Sequence, residues 1–551
     1  MIIWDCIVVG AGIAGSVVSN RLLEQDPSLK ILLIEAGPNT HELGDLTVID
    51  TDPDVNRNHT WSFNSVPQVN ADNRTMSSLA GKGLGGGTAI NGGAWVRGHK
   101  ADYDLWGEKV ADKRWTYEGQ LPYMRKTETL WDQATNPSSH GHRGPVKIQN
   151  PVDMGRIFPL REPLIDSWRE LGVNPLPSFD ANAGNSLGIG NMQENKNHGK
   201  RQLASQIYPL DGIAILTDSL VARVLVERNP KGPLVCRGIQ LENGTKIFAR
   251  ETILSAGAYR TPQILMLSGI GPADTLRKHG INVVLEQPAV GQNLHDHVLL
   301  PTIWHLANAS EGWAKGSGNP IFEQPQYDLG GFVDLITATN LPREGLADSI
   351  AQDEGGLSPD PKLHPLLNRD RAASSHQLMH GGISADGSAV MLVSIVLINT
   401  SRGSVSIQSA DIKDDPIIDP NFLGTNFDRF AARETMREAV RLMSSNQTIM
   451  GRLIVDGDGT DHPLTVDSPD EEVDARVRES TGGCYHPAGT AAMGTVVDGD
   501  LRVMGVSGLR VVDTSVFPVS ISANLQVAAY ALGEQAADVI MSTLWRNVWY
   551  W

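Results

Sequence analysis

A glycine-rich turn near the N-terminus constrains the fold of this chain more than any other feature. Residues 3–9 (IWDCIVV) have the apolar pattern of a short buried strand, and the sequence GAGIAG follows at 10–15. A helical pattern over 16–24 and a second apolar strand over 30–34 come next. This order predicts a βαβ unit, and therefore a parallel sheet covered by helices.

The glycines of this turn have the spacing of a dinucleotide-binding site. Gly10 makes the tight turn, Gly12 lets backbone N–H groups approach a pyrophosphate, and Gly15 permits close packing of helix on strand. Glu35 ends the second strand about 20 residues after Gly15, where a carboxylate suits a ribose 2′-hydroxyl and repels a 2′-phosphate. The motif predicts dinucleotide binding and leaves FAD and NAD as alternatives.

Composition excludes several other classes of protein. The net charge of −17 argues against binding to the phosphate backbone of a nucleic acid. Cys6, Cys236 and Cys484 are the three cysteines, without CxxC spacing, so we expect neither a disulfide framework nor a multi-cysteine zinc site. The longest apolar run, 389–398, is half the ~20 residues that a spanning helix needs, so no membrane span is expected.

The N-terminal sequence favours a cytoplasmic location. MIIWDCIVVGAG has no basic segment ahead of its apolar residues and reaches Asp5 at once, unlike a secretory signal. A mature secreted form whose signal has been removed stays open as an alternative.

Later segments predict further strand and helix pairs. We expect strands over 251–257, 390–398, 403–407 and 509–513, and helices over 262–267, 427–443 and 527–541. Prolines, glycines and polar residues dominate from about 310 to about 385, where periodicity is weak. This stretch predicts an irregular lid or substrate-domain structure.

Five sequence blocks resemble the signatures of the glucose–methanol–choline (GMC) oxidoreductases, in family order. They are GKGLGGGTAINGGAWVRG (81–98), SAGAYRTPQILMLSGIGP (255–272), VGQNLHDH (290–297), CYHPAGTAAMG (484–494) and LRVVDTSVFP (509–518). The resemblance implies a flavoenzyme of α/β and α+β class. A GSSG-reductase-like, Rossmann-type FAD domain would comprise 1–155, 200–297 and 480–551. It would be interleaved with a substrate domain (156–199 and 298–479) built on a mainly antiparallel sheet with helices.

The resemblance also implies a set of FAD contacts beside the three glycines of the first turn. These positions are Ile13, Ala14, Glu35, Ala36, Asn91, Gly92, Ala94, Val221, Asp513, Leu525 and Gln526. Some family members attach FAD through a histidine just before the asparagine of the second glycine cluster. Ile90 occupies that place and cannot form the bond. We therefore predict non-covalent FAD.

His486 matches the catalytic histidine of the family. Alcohol oxidation requires loss of the hydroxyl proton as the α-hydrogen leaves as hydride to flavin N5, and a neutral imidazole suits the role of base. The second active-site position of the family falls on Asn524, whose amide would hydrogen-bond the substrate oxygen. The alternative for Asn524 is an N-cap of the helix that includes Val527.

The resemblance predicts FAD-dependent oxidation of an alcohol to an aldehyde or ketone, with O₂ or a quinone-like compound as acceptor. Alternatives are a hydroxynitrile lyase that keeps FAD without using its redox chemistry, a fatty-acid photodecarboxylase-like enzyme and a non-catalytic binding module. Scattered aromatic side chains favour a ring-bearing or secondary-metabolite alcohol, with ordinary core packing as the alternative. They are Trp61, Phe63, Trp304, Trp313, Phe322, Tyr327, Phe332 and Tyr485.

Three features have competing interpretations. His295-Asp296-His297 has metal-ligand character, but its block packs near the cofactor in the family, and we predict no metal. The GxSxG pattern at 184–188 lacks the strand and helix that a nucleophile elbow needs, so we reject it. The resemblance implies that Cys484 faces the edge of the flavin, where the size of its side chain would tune the access of oxygen. A buried packing role is the alternative.

Overall fold

Two large sheets organise the chain. The computed structural model describes residues 3–42, 59–130, 138–229, 232–457, 460 and 462–544. Within these ranges one sheet has eight strands and the other has seven. No helix in the same ranges has the length and apolarity needed to cross a bilayer.

The first sheet contains the predicted βαβ unit. Ile3–Val9 pairs in parallel with Ile31–Ile34 on one side and with Lys246–Leu254 on the other. The spatial order is Ala214–Leu216, Ile31–Ile34, Ile3–Val9, Lys246–Leu254, Leu234–Leu241, Val221–Arg228. Two further short strands join this sheet: Leu509–Val511 pairs with Lys246–Leu254, and Val506–Ser507 pairs with Leu234–Leu241. The last two strands of the main path are antiparallel to their neighbours. The parallel core is confirmed.

The helix of the βαβ unit extends over Ile13–Gln25 and buries Val17 and Leu22. It packs against the C-terminal helix Gln526–Leu544. A Cβ at Gly533 would lie 2.8 Å from the Val17 Cβ, so glycine is needed for this close approach. The contact brings the C-terminal segment, with its candidate residues, beside the glycine turn.

The second sheet is antiparallel, as predicted for a substrate domain. In spatial order its strands are Ile454–Asp456, Val298–Leu306, Ala389–Val396, Ser374–Met379, Leu335–Thr339 and Gly188–Asn191, and Gly482–Gly483 also pairs with Val298–Leu306. The helix Asn426–Ser444 lies against it and buries Phe427 and Met436 in the core of this half. The domain limits stay a prediction.

The expectation of irregular structure from about 310 to about 385 is partly wrong. This stretch contains the strands Leu335–Thr339 and Ser374–Met379 and the helix Arg343–Asp353. Polar residues such as Ser374 and His376 are buried in these strands because they hydrogen-bond to Glu438 of the covering helix. Buried, paired polar residues hide the apolar pattern by which a strand is recognised.

The remaining elements are shorter and connect these layers. The other helices are Lys100–Lys109, Tyr117–Thr127, Arg161–Glu170, Ala204–Ile207, Gly257–Leu267, Ala273–Lys278, Ile449–Leu453 and Asp470–Ser480. The other strands are Thr60–Asn64, Ser77–Gly81, Glu128–Leu130, Val146–Ile148, Lys196–Asn197, Lys200–Arg201, Ile270–Gly271, Leu285–Glu286, Gln292–Leu294, Gly403–Ser406 and Ile417–Asp419.

Candidate active site

A cleft of about 560 Å³ opens where the parallel strands end at their carboxyl termini. In doubly wound folds ligands bind at this edge of the sheet. The predicted cofactor residues that line it are Gly10, Gly12, Ile13, Ala14, Glu35, Ala36, Asn91, Gly92, Ala94, Val221, Asp513, Leu525 and Gln526. Gly15 does not line the cleft. His486 and Asn524 line the same cleft.

Glycines let the backbone close around this cleft. Gly10 has φ +101°, and a Cβ there would lie 2.3 Å from the Ser255 carbonyl oxygen. A Cβ at Gly15 would lie 1.9 Å from the Gly10 carbonyl oxygen, so this position supports the turn. A Cβ at Gly86 would lie 2.6 Å from the Gly12 Cα, which brings the two glycine clusters into contact.

The Glu35 carboxylate joins these two clusters at one end of the cleft. Its Oε2 accepts a hydrogen bond from the Ala11 N–H at 2.8 Å. Its Oε1 accepts from the Gly37 and Gly83 N–H groups at 2.9 and 3.0 Å. Burial raises the pKa of Glu35 against the effect of these donors. The Ala36 N–H is a further backbone donor to this carboxylate, so Glu35 draws several backbone N–H groups together at this end of the cleft.

Asp513 holds the backbone at a second wall of the cleft. Its Oδ2 accepts from the Gly257 N–H at 2.9 Å and from the Thr261 hydroxyl at 2.6 Å. Its Oδ1 accepts from the Ser515 N–H at 2.8 Å. Burial raises the pKa of this carboxyl. Asp513 therefore fixes the start of the helix Gly257–Leu267 at the cleft.

His486 and Asn524 meet in the cleft although 37 residues of chain separate them. The Asn524 amide nitrogen lies 3.3 Å from the His486 Nε2. Burial, followed by the proximity of His297, lowers the pKa of His486 well below its usual value. A lowered pKa keeps the imidazole neutral near neutral pH, so one of its ring nitrogens carries a lone pair that can accept a hydrogen bond.

His297 selects which ring nitrogen of His486 is the acceptor. The two Nδ1 atoms are 2.9 Å apart, and burial lowers the pKa of His297 to about 4. Because both rings are neutral, one Nδ1–H donates to the other. With Asn524 donating to His486 Nε2, the proton lies on His486 Nδ1 and is donated to His297. The arrangement leaves the Nε2 lone pair on the side of Asn524.

The three residues of the His295-Asp296-His297 segment each contact a different polar group of the chain. His295 Nδ1 lies 3.0 Å from the Asn293 carbonyl oxygen. Asp296 Oδ1 accepts from the His486 N–H at 2.8 Å, and burial raises the pKa of Asp296 to about 7. Among the described residues there is no group of three or more side chains that could hold a metal. His297 and Asp296 instead support His486, a role that no local sequence pattern indicates.

Of the eight aromatic side chains singled out in the sequence, three line the cleft: Trp61, Phe63 and Tyr485. Trp304 and Trp313 belong to the core of the second sheet. Phe322, Tyr327 and Phe332 pack around Phe158 in a separate cluster. Core packing therefore accounts for most of the aromatic set.

The GxSxG segment has the wrong context for a nucleophile elbow. Turns precede Ser186, and the strand Gly188–Asn191 follows it, whereas an elbow needs a strand before and a helix after. Among the residues that the structure describes, the Ser186 hydroxyl has no hydrogen-bond partner, and so none of them activates it as a base.

We expect the three cysteines to be unreactive in the native protein. Burial raises the pKa of the Cys236 thiol to about 11 and also raises those of Cys6 and Cys484. Since the thiolate is the nucleophile, a thiol reagent near neutral pH should label native protein far more slowly than unfolded protein, which should give three thiols. One rapidly labelled thiol in the native protein would contradict this assignment.

The parallel sheet, the glycine-lined cleft and the buried carboxylate together define a dinucleotide-binding protein with a histidine–amide pair at its site. Family models of the GMC oxidoreductases match residues 4–299 (N-terminal model) and 399–533 (C-terminal model). The chain belongs to the GMC oxidoreductases.

Similar proteins include enzymes that act on several small molecules. GMC-type oxidoreductase acuG of Aspergillus aculeatus is 36% identical, with 98% of this chain and 99% of that protein covered. An alcohol dehydrogenase [acceptor] of Pseudomonas putida is 30% identical, with 98% and 96% covered. The structure of a fungal aryl-alcohol oxidase is 26% identical with a TM-score of 0.82, and 99% of each chain is covered.

FAD is the cofactor of this chain, and the cleft fits it. A formate oxidase of Aspergillus oryzae RIB40, whose structure was studied for FAD modification, has a TM-score of 0.81 and 26% identity, with 98% of each chain covered. At Gly92 and Gly257 an added Cβ would meet no atom within 4 Å, so both face open space. The glycine backbone and the Glu35 carboxylate suit a pyrophosphate and a ribose.

Proposed function

We propose that this protein oxidises an alcohol to an aldehyde or ketone, with His486 as the base. The protein is an oxidoreductase acting on CH–OH donors, as its family membership and its relatives show. The observation that supports His486 is its position in the FAD cleft, 3.3 Å from the Asn524 amide, where burial lowers the pKa of the imidazole.

Each side chain at the site has one role in this proposal. On binding, the substrate hydroxyl replaces the Asn524 amide as the donor to His486 Nε2, which takes its proton, and the Asn524 amide donates instead to the substrate oxygen. His297 accepts from His486 Nδ1 and so holds the ring in the tautomer that the reaction needs. Bound FAD supplies a two-electron acceptor for the hydride from the carbinol carbon.

O₂ or a quinone-like compound would then reoxidise the cofactor. Cys484 lines the cleft and also packs beside the cluster of Ala338, Ile395 and Leu397. Its protonated thiol therefore acts through its size, whether in packing or in access of O₂ to the cleft.

Anaerobic mixing with alcohols tests the proposed reaction. Aliphatic, aryl, amino and sugar alcohols are mixed with the holoenzyme while the flavin absorbance is followed. At least one class should bleach the flavin and yield its carbonyl product. A flavin that stays oxidised during cyanohydrin cleavage would favour a hydroxynitrile lyase, and light-dependent loss of CO₂ would favour a photodecarboxylase. Either result would contradict the proposal.

We propose that FAD is bound without a covalent link. Ile90 lines the cleft at the position where some family members attach FAD, and its side chain has no nucleophile. Acid precipitation should therefore release all of the flavin into the supernatant. Yellow colour that stays with the washed, precipitated protein would contradict this prediction.

A further inference from the structure

A second, smaller cavity borders the same catalytic pair. Its volume is about 10 Å³, which gives room for roughly one water-sized group. His486 and Asn524 are the two residues that line both this cavity and the large cleft. The other lining residues are Val96, Ala181, Ser186, Ile336, Ala338, Ser375, Ile395, Leu397, Ser522 and Ala523.

One face of the antiparallel sheet forms a wall of the small cavity. Ala338, Ser375 and Ile395 pair across three neighbouring strands, so their side chains lie in one row. Ser374, the residue before Ser375 in the same strand, donates its hydroxyl to Glu438, which belongs to the helix covering the opposite face of the sheet. Because side chains alternate across a strand, Ser375 is directed away from that helix and toward the cavity.

Two buried hydroxyl groups in this cavity have no hydrogen-bond partner. Ser186 is 4% exposed and Ser375 is 1% exposed, and neither Oγ atom is paired within the described part of the chain. The hydroxyl of the third serine of the lining, Ser522, donates to the Asp102 carboxylate. Buried hydroxyls without partners are costly, so their presence beside a reaction site calls for a polar partner.

The chemistry of the lining restricts what that partner is. Apart from the neutral pair His486 and Asn524 and the serines, the lining is aliphatic, with neither an acidic nor a basic side chain. A carboxylate or ammonium group would be buried without a counter-ion, which is strongly unfavourable. An aromatic ring exceeds the volume. A neutral hydroxyl fits, because it both donates and accepts as the serines do.

We propose that this cavity is a subsite for a second hydroxyl of the substrate, which makes a short aliphatic diol or polyol the preferred alcohol. The second hydroxyl hydrogen-bonds to Ser186 and Ser375 and is left unchanged, while the reacting carbinol lies at His486 and Asn524. This assignment rests on the proposed alcohol oxidation.

Matched alcohols and serine variants test the subsite in the holoenzyme. The ratio of kcat/KM for propane-1,3-diol to that for propan-1-ol is measured in wild type, Ser186→Ala and Ser375→Ala. Each substitution should lower this ratio about five- to tenfold, the effect of one neutral hydrogen bond. Ser349→Ala is the matched control, since Ser349 is buried outside both cavities and donates to Leu346. The control should leave the ratio unchanged.

Folding is checked separately by thermal unfolding. Because neither hydroxyl is paired, alanine should not lower Tm at either position. Equal ratios in wild type and both variants would overturn the subsite and show that it holds a structural water only. A preference for benzyl alcohol or choline over the diol would also overturn it. Failure of every alcohol to bleach the flavin would instead reject the underlying alcohol oxidation.

Discussion

His486→Ala should reduce the rate of anaerobic flavin reduction by an alcohol about 10²- to 10⁴-fold, the usual contribution of a positioned general base. The imidazole is the neutral acceptor at the cleft, and Asn524 cannot take its place because an amide is not a base at neutral pH. Stopped-flow absorbance of the flavin measures the rate directly.

The control for this variant is His279→Ala. His279 lies at the end of the helix Ala273–Lys278, outside both cavities, and its loss should leave the rate unchanged. Bound FAD per protein should be equal in both variants. A His486→Ala protein that retains FAD and reduces it at the wild-type rate would reject His486 as the base.

Glu128→Gln should lower the free energy of unfolding by about 3–5 kcal/mol, since removing one partner leaves a buried charge uncompensated. Arg97 and Glu128 form a fully buried ion pair. Glu128 also accepts from the indole of Trp95 at 2.9 Å and lies 2.9 Å from His140 Nδ1. Glutamine keeps the shape and removes the charge, so thermal or denaturant unfolding reports the electrostatic loss.

The pH dependence of this variant has a defined sign. Burial opposes ionisation of Glu128, but Arg97 and then His140 hold its pKa at about 2, below its ordinary 4.5. The stability gained from the charge is therefore present above pH 4.5 and is lost as the pH falls toward 2. Wild type and Glu128→Gln should converge in acid.

Glu227→Gln is the matched control for Glu128→Gln. The exposed carboxylate of Glu227 pairs with the partly exposed Arg237 at 3.4 Å, and surface pairs contribute about 0–1 kcal/mol. A Glu128→Gln protein as stable as this control at neutral pH would contradict the buried network.

The N-terminal unit could be predicted from the sequence because its signals are local. The glycine turn over 10–15 and Glu35 determine the conformation of the backbone close to them in sequence. The strand predicted over 3–9 has the same bounds in the structure. The helix expected over 427–443 is Asn426–Ser444 for the same reason, since its apolar period is complete within one segment.

The candidate site could be predicted only in part. The family resemblance identifies His486 and Asn524, whereas the roles inferred for His297 and Ser375 depend on contacts between distant segments. His297 faces His486 across 188 intervening residues. Ser375 reaches the cavity because Ser374 is bonded to a helix on the other face. Such pairings follow from tertiary packing, and a single sequence contains no local pattern for them.

The most direct test of alcohol oxidation is an anaerobic single turnover in which flavin reduction and carbonyl product are both measured. The holoenzyme is mixed with an alcohol that bleaches it, and the product is trapped as a hydrazone. We expect one aldehyde or ketone to form for each flavin reduced. Carbonyl product released while the flavin stays fully oxidised would contradict this expectation.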